Sequence, residues 1–169
     1  MSVQRPAADL ARVRFVAFDV DGVFTDGRFY LSDTGVESKA FCTQDGFGIR
    51  RLLAAGVEVA VISGRNSAAV ALRMDDLGVR HVVQGCSDKI AAFDSMVEAL
   101  GITAEECAYV GDDVPDLPLL ARVGVSFAVA NAMQELHDAC DYSTNASGGF
   151  GAVREVCDLL LSARQREAT

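Results

Sequence analysis

Short apolar runs alternate along the chain with longer segments in which apolar residues recur every three or four positions. The runs cover residues 13–18 (interrupted by Arg14), 57–62, 81–84, 107–110 and 125–129. Each run has the length of a strand, and strands that are covered on both faces by helices are apolar throughout. The pattern therefore predicts five buried strands.

Helical spacing fills the intervals between these runs. It predicts helices over about 47–53, 66–77 (capped by Asn66 or Ser67), 87–100 (capped by Ser87), a short stretch after Pro115, 132–138, and a final helix within 149–169. Strands that alternate with helices form a mainly parallel sheet with helices on both faces. We therefore predict a Rossmann-like, three-layer α/β/α fold, with residues 1–169 forming a single domain.

One segment departs from this alternation. Residues 28–32 and 36–41 are strand-like and flank Asp33-Thr34-Gly35, which is typical of a hairpin turn. This predicts a β-hairpin flap over about 27–42, after the first strand. Because a lone hairpin is marginally stable, it should rest on the domain or pair with another subunit. The core uses almost all remaining residues, so no cap domain is expected.

Composition narrows the range of partners and the compartment. The chain has 15 Lys and Arg against 24 Asp and Glu, a net charge of −9, which argues against nucleic acid as a partner. It contains no apolar run near the ~20 residues that a membrane span needs, and residues 1–9 lack the pattern of a signal peptide. The five cysteines are scattered without a Cys-x-x-Cys motif, as in reduced cytoplasmic proteins.

Two carboxylates, Asp19 and Asp21, stand where the first strand should end. Residues i and i+2 of an extended chain point the same way, so both can face one small volume, where their repulsion calls for a cation or a shared proton. An isolated Asp-x-Asp-Gly is more often a simple turn. A calcium-binding EF-hand is disfavoured, because the fifth and twelfth positions are Val23 and Tyr30.

Polar residues also follow the other predicted strands. Ser63-Gly64-Arg65 follows the second strand, Asp112-Asp113 follows the fourth, and Lys89 opens a helix at the same edge of the sheet. Individually, these are ordinary capping or solvated residues. In open α/β sheets, however, the ligand lies beyond the carboxyl ends of the strands, so together they predict one site.

Hydrolysis of a phosphate monoester uses each of these groups. Asp19 would attack phosphorus as a nucleophile, and Asp21 would act as the general acid and base. Mg²⁺ would be held by Asp19, Asp112 and the carbonyl of Asp21. Ser63 and Lys89 would bind the phosphate oxygens. Asp113 and Asp116 would lie just outside the metal ligands, with Asp116 orienting Lys89.

The order of these motifs resembles that of the haloacid dehalogenase superfamily of phosphatases. The matching segments are Asp19-Val20-Asp21-Gly22-Val23-Phe24-Thr25, Ile62-Ser63-Gly64-Arg65, Lys89, and Gly111-Asp112-Asp113-Val114-Pro115-Asp116-Leu117. Within the superfamily, the chain is similar to the capless phosphatases of 3-deoxy-D-manno-octulosonate (KDO) 8-phosphate. The similarity rests on the run from Asp21 to Gly27, the hairpin, and the segments 44–50 and 148–156.

This resemblance implies a cytoplasmic, Mg²⁺-dependent homotetramer that removes phosphate from an eight-carbon sugar acid used for lipopolysaccharide, with a neighbouring subunit closing the site. The implied substrate contacts are Asp21, Cys42, Thr43, Gln44, Asp45, Gly46, Arg50, Arg65, Arg73 and Lys89. The family's usual loop reads Asn-Val-Arg-Asp-Gly, whereas this chain has Cys42-Thr43-Gln44-Asp45-Gly46.

Two other functions are compatible with parts of the pattern. The same chemistry could act on the 9-phosphate of a nine-carbon sugar acid, although Arg65 after Ser63-Gly64 favours the eight-carbon substrate by resemblance. A phospho-receiver signalling module is also an α/β protein, but its phosphorylated Asp should end the third strand. Here that strand ends at Gln84-Gly85.

Overall fold

The computed structural model describes residues 10–167, so the prediction about a signal sequence in residues 1–9 lies outside the described part. The strands are β1 (Phe15–Phe18), β2 (Tyr30–Leu31), β3 (Glu37–Ser38), β4 (Glu58–Ile62), β5 (His81–Val83), β6 (Cys107–Gly111), β7 (Val125–Ala128) and β8 (Tyr142–Ser143). The helices are α1 (Thr43–Ala54), α2 (Ala68–Leu77), α3 (Lys89–Leu100), α4 (Leu117–Arg122), α5 (Gln134–Ala139) and α6 (Ala152–Glu167).

Six strands form one sheet in the order β5-β4-β1-β6-β7-β8, and every neighbouring pair is parallel. From β1 the chain builds outward to β4 and β5, then crosses back and builds the other way from β6. The order therefore reverses between β1 and β6, which is where open α/β sheets bind their ligands.

Alternate residues of each strand point to opposite faces and build two cores. Val16 and Phe18 of β1 face α1, α2 and α6, whereas Phe15 and Ala17 face α3, α4 and α5. Helices thus cover both faces of a buried parallel sheet. The predicted three-layer α/β/α fold with a mainly parallel sheet is confirmed, and residues 10–167 contain no separate cap.

The predicted hairpin is present as the antiparallel pair β2 and β3, but its ladder is shorter than the sequence suggested. Its exposed apolar side chains are Phe29, Tyr30, Leu31 and Val36. In the part of the chain that the structure covers, no helix is both long enough and apolar enough to cross a membrane.

Three local features differ from what the sequence pattern predicts. The strand β8 was not anticipated, because two residues flanked by polar side chains carry too little pattern. The α3 helix is capped by Asp88, whose carboxylate accepts a hydrogen bond from the Ala91 N–H at 3.0 Å, and not by Ser87. Helix α5 begins at Gln134 instead of residue 132.

Candidate active site

Asp19 and Asp112 are brought together because they follow the adjacent strands β1 and β6. Phe18 pairs with Val110 in the sheet, and the Asp19 N–H continues the ladder by donating to the Val110 carbonyl at 3.0 Å. Both carboxylates therefore emerge at the point where the strand order reverses. This is the edge of the sheet at which the sequence pattern predicts them.

The residue that follows Asp21 must be glycine for a steric reason. Gly22 has a φ of +90°, and a Cβ at this position would lie 1.9 Å from Oδ2 of Asp112. The buried Thr25 hydroxyl closes the turn by accepting hydrogen bonds from the Gly22 and Gly27 N–H groups at 3.3 and 3.2 Å. The missing side chain leaves room for the Asp112 carboxylate beside the turn.

A second loop supports this turn from outside. A Cβ at Gly148 would lie 1.6 Å from the Gly22 carbonyl oxygen, so the two backbones are in direct contact. The Gly149 N–H donates to the Val23 carbonyl at 3.1 Å, and the Gly148 N–H donates to Oδ1 of Asn131 at 2.8 Å. The loop at 148–149 therefore fixes the backbone that carries Asp19 and Asp21.

Lys89 lies at the centre of a buried network of charged and polar groups. Its Nζ is 3.0 Å from Oδ1 of Asp19 and 2.8 Å from Oδ1 of Asp116. The buried Tyr109 hydroxyl donates to the same Asp116 oxygen at 2.7 Å, and the Asp112 N–H donates to the other at 3.1 Å. With the Asp113 N–H, which donates to Oδ2 at 3.5 Å, Asp116 is held by four donors, and it in turn orients Lys89 toward Asp19.

A group of three carboxylates within residues 10–167 has the spacing to share a metal ion. Oxygens of Asp19, Asp112 and Asp116 lie within 4.8 Å of one another. Since the oxygens of Asp116 already accept from Lys89, Tyr109 and the Asp112 N–H, Asp19 and Asp112 are the better ligands. The Asp21 side chain lies outside this group, and its main-chain carbonyl remains the third expected ligand.

The electrostatics of the site fit a divalent cation. Burial and the charge of Asp116 raise the pKa of Asp19 from 3.8 to about 6. Burial and the charge of Asp19 raise the pKa of Asp112 to about 7. Burial alone would lower the pKa of Lys89, but Asp19 and Asp116 outweigh it and raise the value. One ammonium does not balance these carboxylates, and hard oxygen donors favour Mg²⁺.

These pKa shifts predict how stability depends on pH and metal. Both carboxyl groups bind protons more tightly in the folded chain, so metal-free protein should lose stability as pH rises from 3.8 to about 7. The Asp19 shift alone is worth about 3 kcal/mol, at roughly 1.4 kcal/mol per pKa unit. Because Mg²⁺ binds the ionised form, it should stabilise the protein strongly at pH 8 and little at pH 5.

Thermal unfolding between pH 5 and 8, in Mg²⁺ and in chelator, measures this dependence. The Asp112→Asn variant should show a flatter pH dependence in chelator and a smaller gain from Mg²⁺. An unfolding temperature in chelator that stays constant or rises over this range for the wild type would contradict the prediction.

The Asp21 side chain belongs to a second charged group. Its Oδ1 forms an ion pair with Lys39, and its Oδ2 is 3.8 Å from Nε of Arg65. Arg65 also pairs with Oε2 of Glu37 at 2.9 Å and stacks on the Phe29 ring at 4.2 Å. The hairpin thereby supplies side chains to the site.

The two groups enclose a cavity of about 320 Å³. It is lined by Asp19, Asp21, Gly27, Ser63, Gly64, Arg65, Lys89, Asp112, Asp113, Pro115 and Asp116. The structure therefore brings together the residues that were predicted from the sequence for catalysis and metal binding. Asp113 is also part of this lining and is exposed.

Most of the other expected substrate contacts lie elsewhere. Residues 42–46 form the start of α1, where Asp45 is buried and accepts a hydrogen bond from the Arg154 N–H at 2.8 Å. Arg73 lies against Gly46 and pairs with Asp76 at 3.0 Å, and Arg50 contacts the same Asp76. None of them lines the Asp19 cavity of the same chain.

Sequence reasoning missed four residues that hold the site together. They are Thr25, Glu37, Lys39 and Tyr109. Tyr109 looked like one more apolar strand residue, because nothing local shows that its hydroxyl reaches Asp116. Lys39 and Glu37 looked like the solvated face of a hairpin, and no local pattern distinguishes that face from a buried one.

The fold and this carboxylate site together define a hydrolase of the haloacid dehalogenase class, in which a carboxylate at the end of the first strand of the parallel sheet lies beside a lysine and a second aspartate. Consistent with this, residues 78–153 match the family model for haloacid dehalogenase-like hydrolases.

Relatives narrow the class further. The chain is 48% identical over 157 residues to the KDO 8-phosphate phosphatase KdsC of Escherichia coli K12, covering 93% of this chain and 84% of the relative. The crystal structure of the corresponding Yersinia pestis phosphatase is 43% identical, with a TM-score of 0.93 over 95% of this chain and 86% of that one.

A third similar structure is that of the Moraxella catarrhalis KDO 8-phosphate phosphatase in complex with magnesium, phosphate and KDO. It is 40% identical, with a TM-score of 0.92 over 95% of this chain and 92% of that one. The chain belongs to the KDO 8-phosphate phosphatase family, and the resemblance noted from its motifs is confirmed.

Proposed function

We propose that this protein hydrolyses KDO 8-phosphate to free KDO and inorganic phosphate, with Mg²⁺ as its cofactor, in lipopolysaccharide synthesis. The observation that carries the proposal is the contact of Lys89 with Asp19 at 3.0 Å beside Asp112, in a chain 48% identical to a phosphatase of this name. The magnesium, phosphate and KDO in the Moraxella catarrhalis structure support the same cofactor and substrate.

In the first half-reaction, a carboxylate oxygen of Asp19 attacks phosphorus and the bond from phosphorus to the sugar oxygen breaks. Asp21 donates its proton to that leaving oxygen, and free KDO departs. Lys89 and the Ser63 hydroxyl bind the equatorial phosphate oxygens, which share the charge of the transition state. Asp116 keeps Lys89 in place, as its 2.8 Å contact supports.

In the second half-reaction, Asp21 accepts a proton from water, and the resulting hydroxide attacks the phosphoryl group on Asp19. Phosphate leaves, Asp19 is regenerated, and Asp21 is protonated again for the next cycle. Mg²⁺, held by Asp19, Asp112 and the Asp21 carbonyl, supplies positive charge that offsets repulsion between these carboxylates and the substrate dianion.

The sugar would be held at the mouth of the cavity. Arg65 lines the cavity with a half-exposed side chain, and a guanidinium can bind a sugar carboxylate through two parallel hydrogen bonds. The proposal also includes a cytoplasmic location and a homotetramer; the exposed apolar residues of the hairpin support association between subunits. In such an assembly, the residues at 42–46, Arg50 and Arg73 would contact sugar bound to a neighbouring subunit.

Phosphate release from KDO 8-phosphate and from a nine-carbon sugar acid 9-phosphate, each with Mg²⁺ and with chelator, tests this function. We expect KDO 8-phosphate to give the higher kcat/KM, and chelator to abolish release because the carboxylates then repel the phosphate. Preference for the longer substrate would select the nine-carbon alternative. A long-lived phosphoprotein without turnover would indicate a receiver module instead.

A further inference from the structure

Lys39 is a buried cation that the proposed chemistry does not use. It lies directly after β3, and its side chain is 1% exposed. Lys39 and Lys89 are the only lysines in the chain. Removing an ammonium from water costs several kcal/mol unless a counter-charge compensates. The position of Lys39 therefore depends on the groups around it.

Those groups are the general acid Asp21 and the hairpin carboxylate Glu37. The Lys39 ammonium pairs with Oδ1 of Asp21 and lies 3.7 Å from Oε1 of Glu37. Since Lys89 contacts Asp19, each of the two lysines forms an ion pair with one of the two reacting carboxylates.

Arg65 does not duplicate this contact. Its Nε is 3.8 Å from the other oxygen of Asp21, beyond hydrogen-bond distance, and its side chain is 48% exposed. Its close partner is Glu37 at 2.9 Å. Exposed ion pairs of this kind contribute little because solvent screens them. Lys39 is therefore the cation that fixes the rotation of the Asp21 carboxyl group.

We propose that Lys39 is a positioning residue for the general acid, holding the Asp21 carboxyl group in the orientation from which it protonates the leaving sugar oxygen. This inference rests on the proposed phosphatase function. A misplacement of about 1 Å in a reacting group costs roughly 10²-fold in rate. Through Lys39, the hairpin then helps to position the general acid of its own subunit.

The leaving group provides a selective test. An alkyl leaving oxygen such as that of KDO needs a proton, whereas p-nitrophenolate leaves without one. In Lys39→Met, first-turnover cleavage of KDO 8-phosphate should fall about ten- to hundred-fold. The first-turnover burst of p-nitrophenolate from p-nitrophenyl phosphate should fall less than about threefold. KM should change little, and Lys39→Arg should recover part of the loss.

Arg28→Met is the matched control, since Arg28 is an exposed cation in the segment leading into β2, and both rates should remain at the wild-type level. In an Asp21→Asn background, Lys39→Met should add no further loss, because a residue that acts through Asp21 has nothing left to position. Should Lys39→Met fold poorly, Lys39→Met/Glu37→Gln removes the ammonium together with the Glu37 charge that lies 3.7 Å from it, and tests the same selectivity.

Equal losses for the two esters, or losses that multiply with those of Asp21→Asn, would overturn the role of Lys39. Such results would indicate direct phosphate binding or a general structural effect. Failure of the wild type to hydrolyse KDO 8-phosphate is a separate result that would count against the proposed function alone.

Discussion

Asp19→Asn is expected to lower phosphate release by at least about 10⁴-fold, the scale seen when a covalent nucleophile is removed. The amide keeps the shape of the side chain but cannot form the acyl phosphate. It also removes one negative ligand from the group that contains Asp112 and Asp116, so Mg²⁺ affinity should fall as well. Steady-state phosphate release and Mg²⁺ titration calorimetry measure the two effects.

Asp94→Asn is the matched control for this change. Asp94 forms an exposed ion pair with Arg122, so the same chemical substitution there should leave both activity and Mg²⁺ affinity near the wild-type values. Retention of more than about one per cent of activity by a pure Asp19→Asn preparation would be incompatible with a loss on the scale of a missing nucleophile.

Lys89→Met is expected to have the second-largest effect, a loss of about 10³-fold in kcat/KM. The substitution removes a donor to the phosphate oxygens and leaves Asp19 and Asp116 without the ammonium between them. Lys89 lowers the pKa of Asp19 against the effect of burial. Its removal should therefore shift the acidic limb of the kcat/KM profile toward higher pH.

Rates measured from pH 5 to 9 test both parts of this prediction. Lys89→Arg keeps the charge and should return the acidic limb toward its wild-type position, although the larger guanidinium will not restore the full rate. Arg122→Met, which removes an exposed cation from the ion pair with Asp94, should change neither rate nor profile. An unshifted limb in Lys89→Met would refute the electrostatic role given to Lys89.

The parts of the fold and site that were predictable from sequence are those encoded locally. The β1 strand is a short buried run followed at once by Asp19 and Asp21, and β6 is followed in the same way by Asp112. Parallel pairing of these strands then forces their ends together. Functional side chains at the carboxyl ends of parallel strands can therefore be predicted from a single sequence.

What the sequence did not reveal depends on distant contacts. The buried Lys39 side chain pairs with Asp21, which lies 18 positions earlier, and an alternating polar hairpin gives no sign of which face is covered. Tyr109 donates its hydroxyl to Asp116, a partner on the far side of the turn. The expected contacts at 42–46 came from resemblance, and the structure places them against α6 and Arg73.

The contact of Gly148 with the Gly22 carbonyl also bears on how the enzyme is made. A chain leaving the ribosome presents the proposed nucleophile Asp19, which follows β1, well before Gly148. The backbone that braces the turn beside it is translated only after all the strands of the sheet, from β1 to β8. Newborn protein therefore lacks a fully braced site until residues 148–149 have left the ribosome.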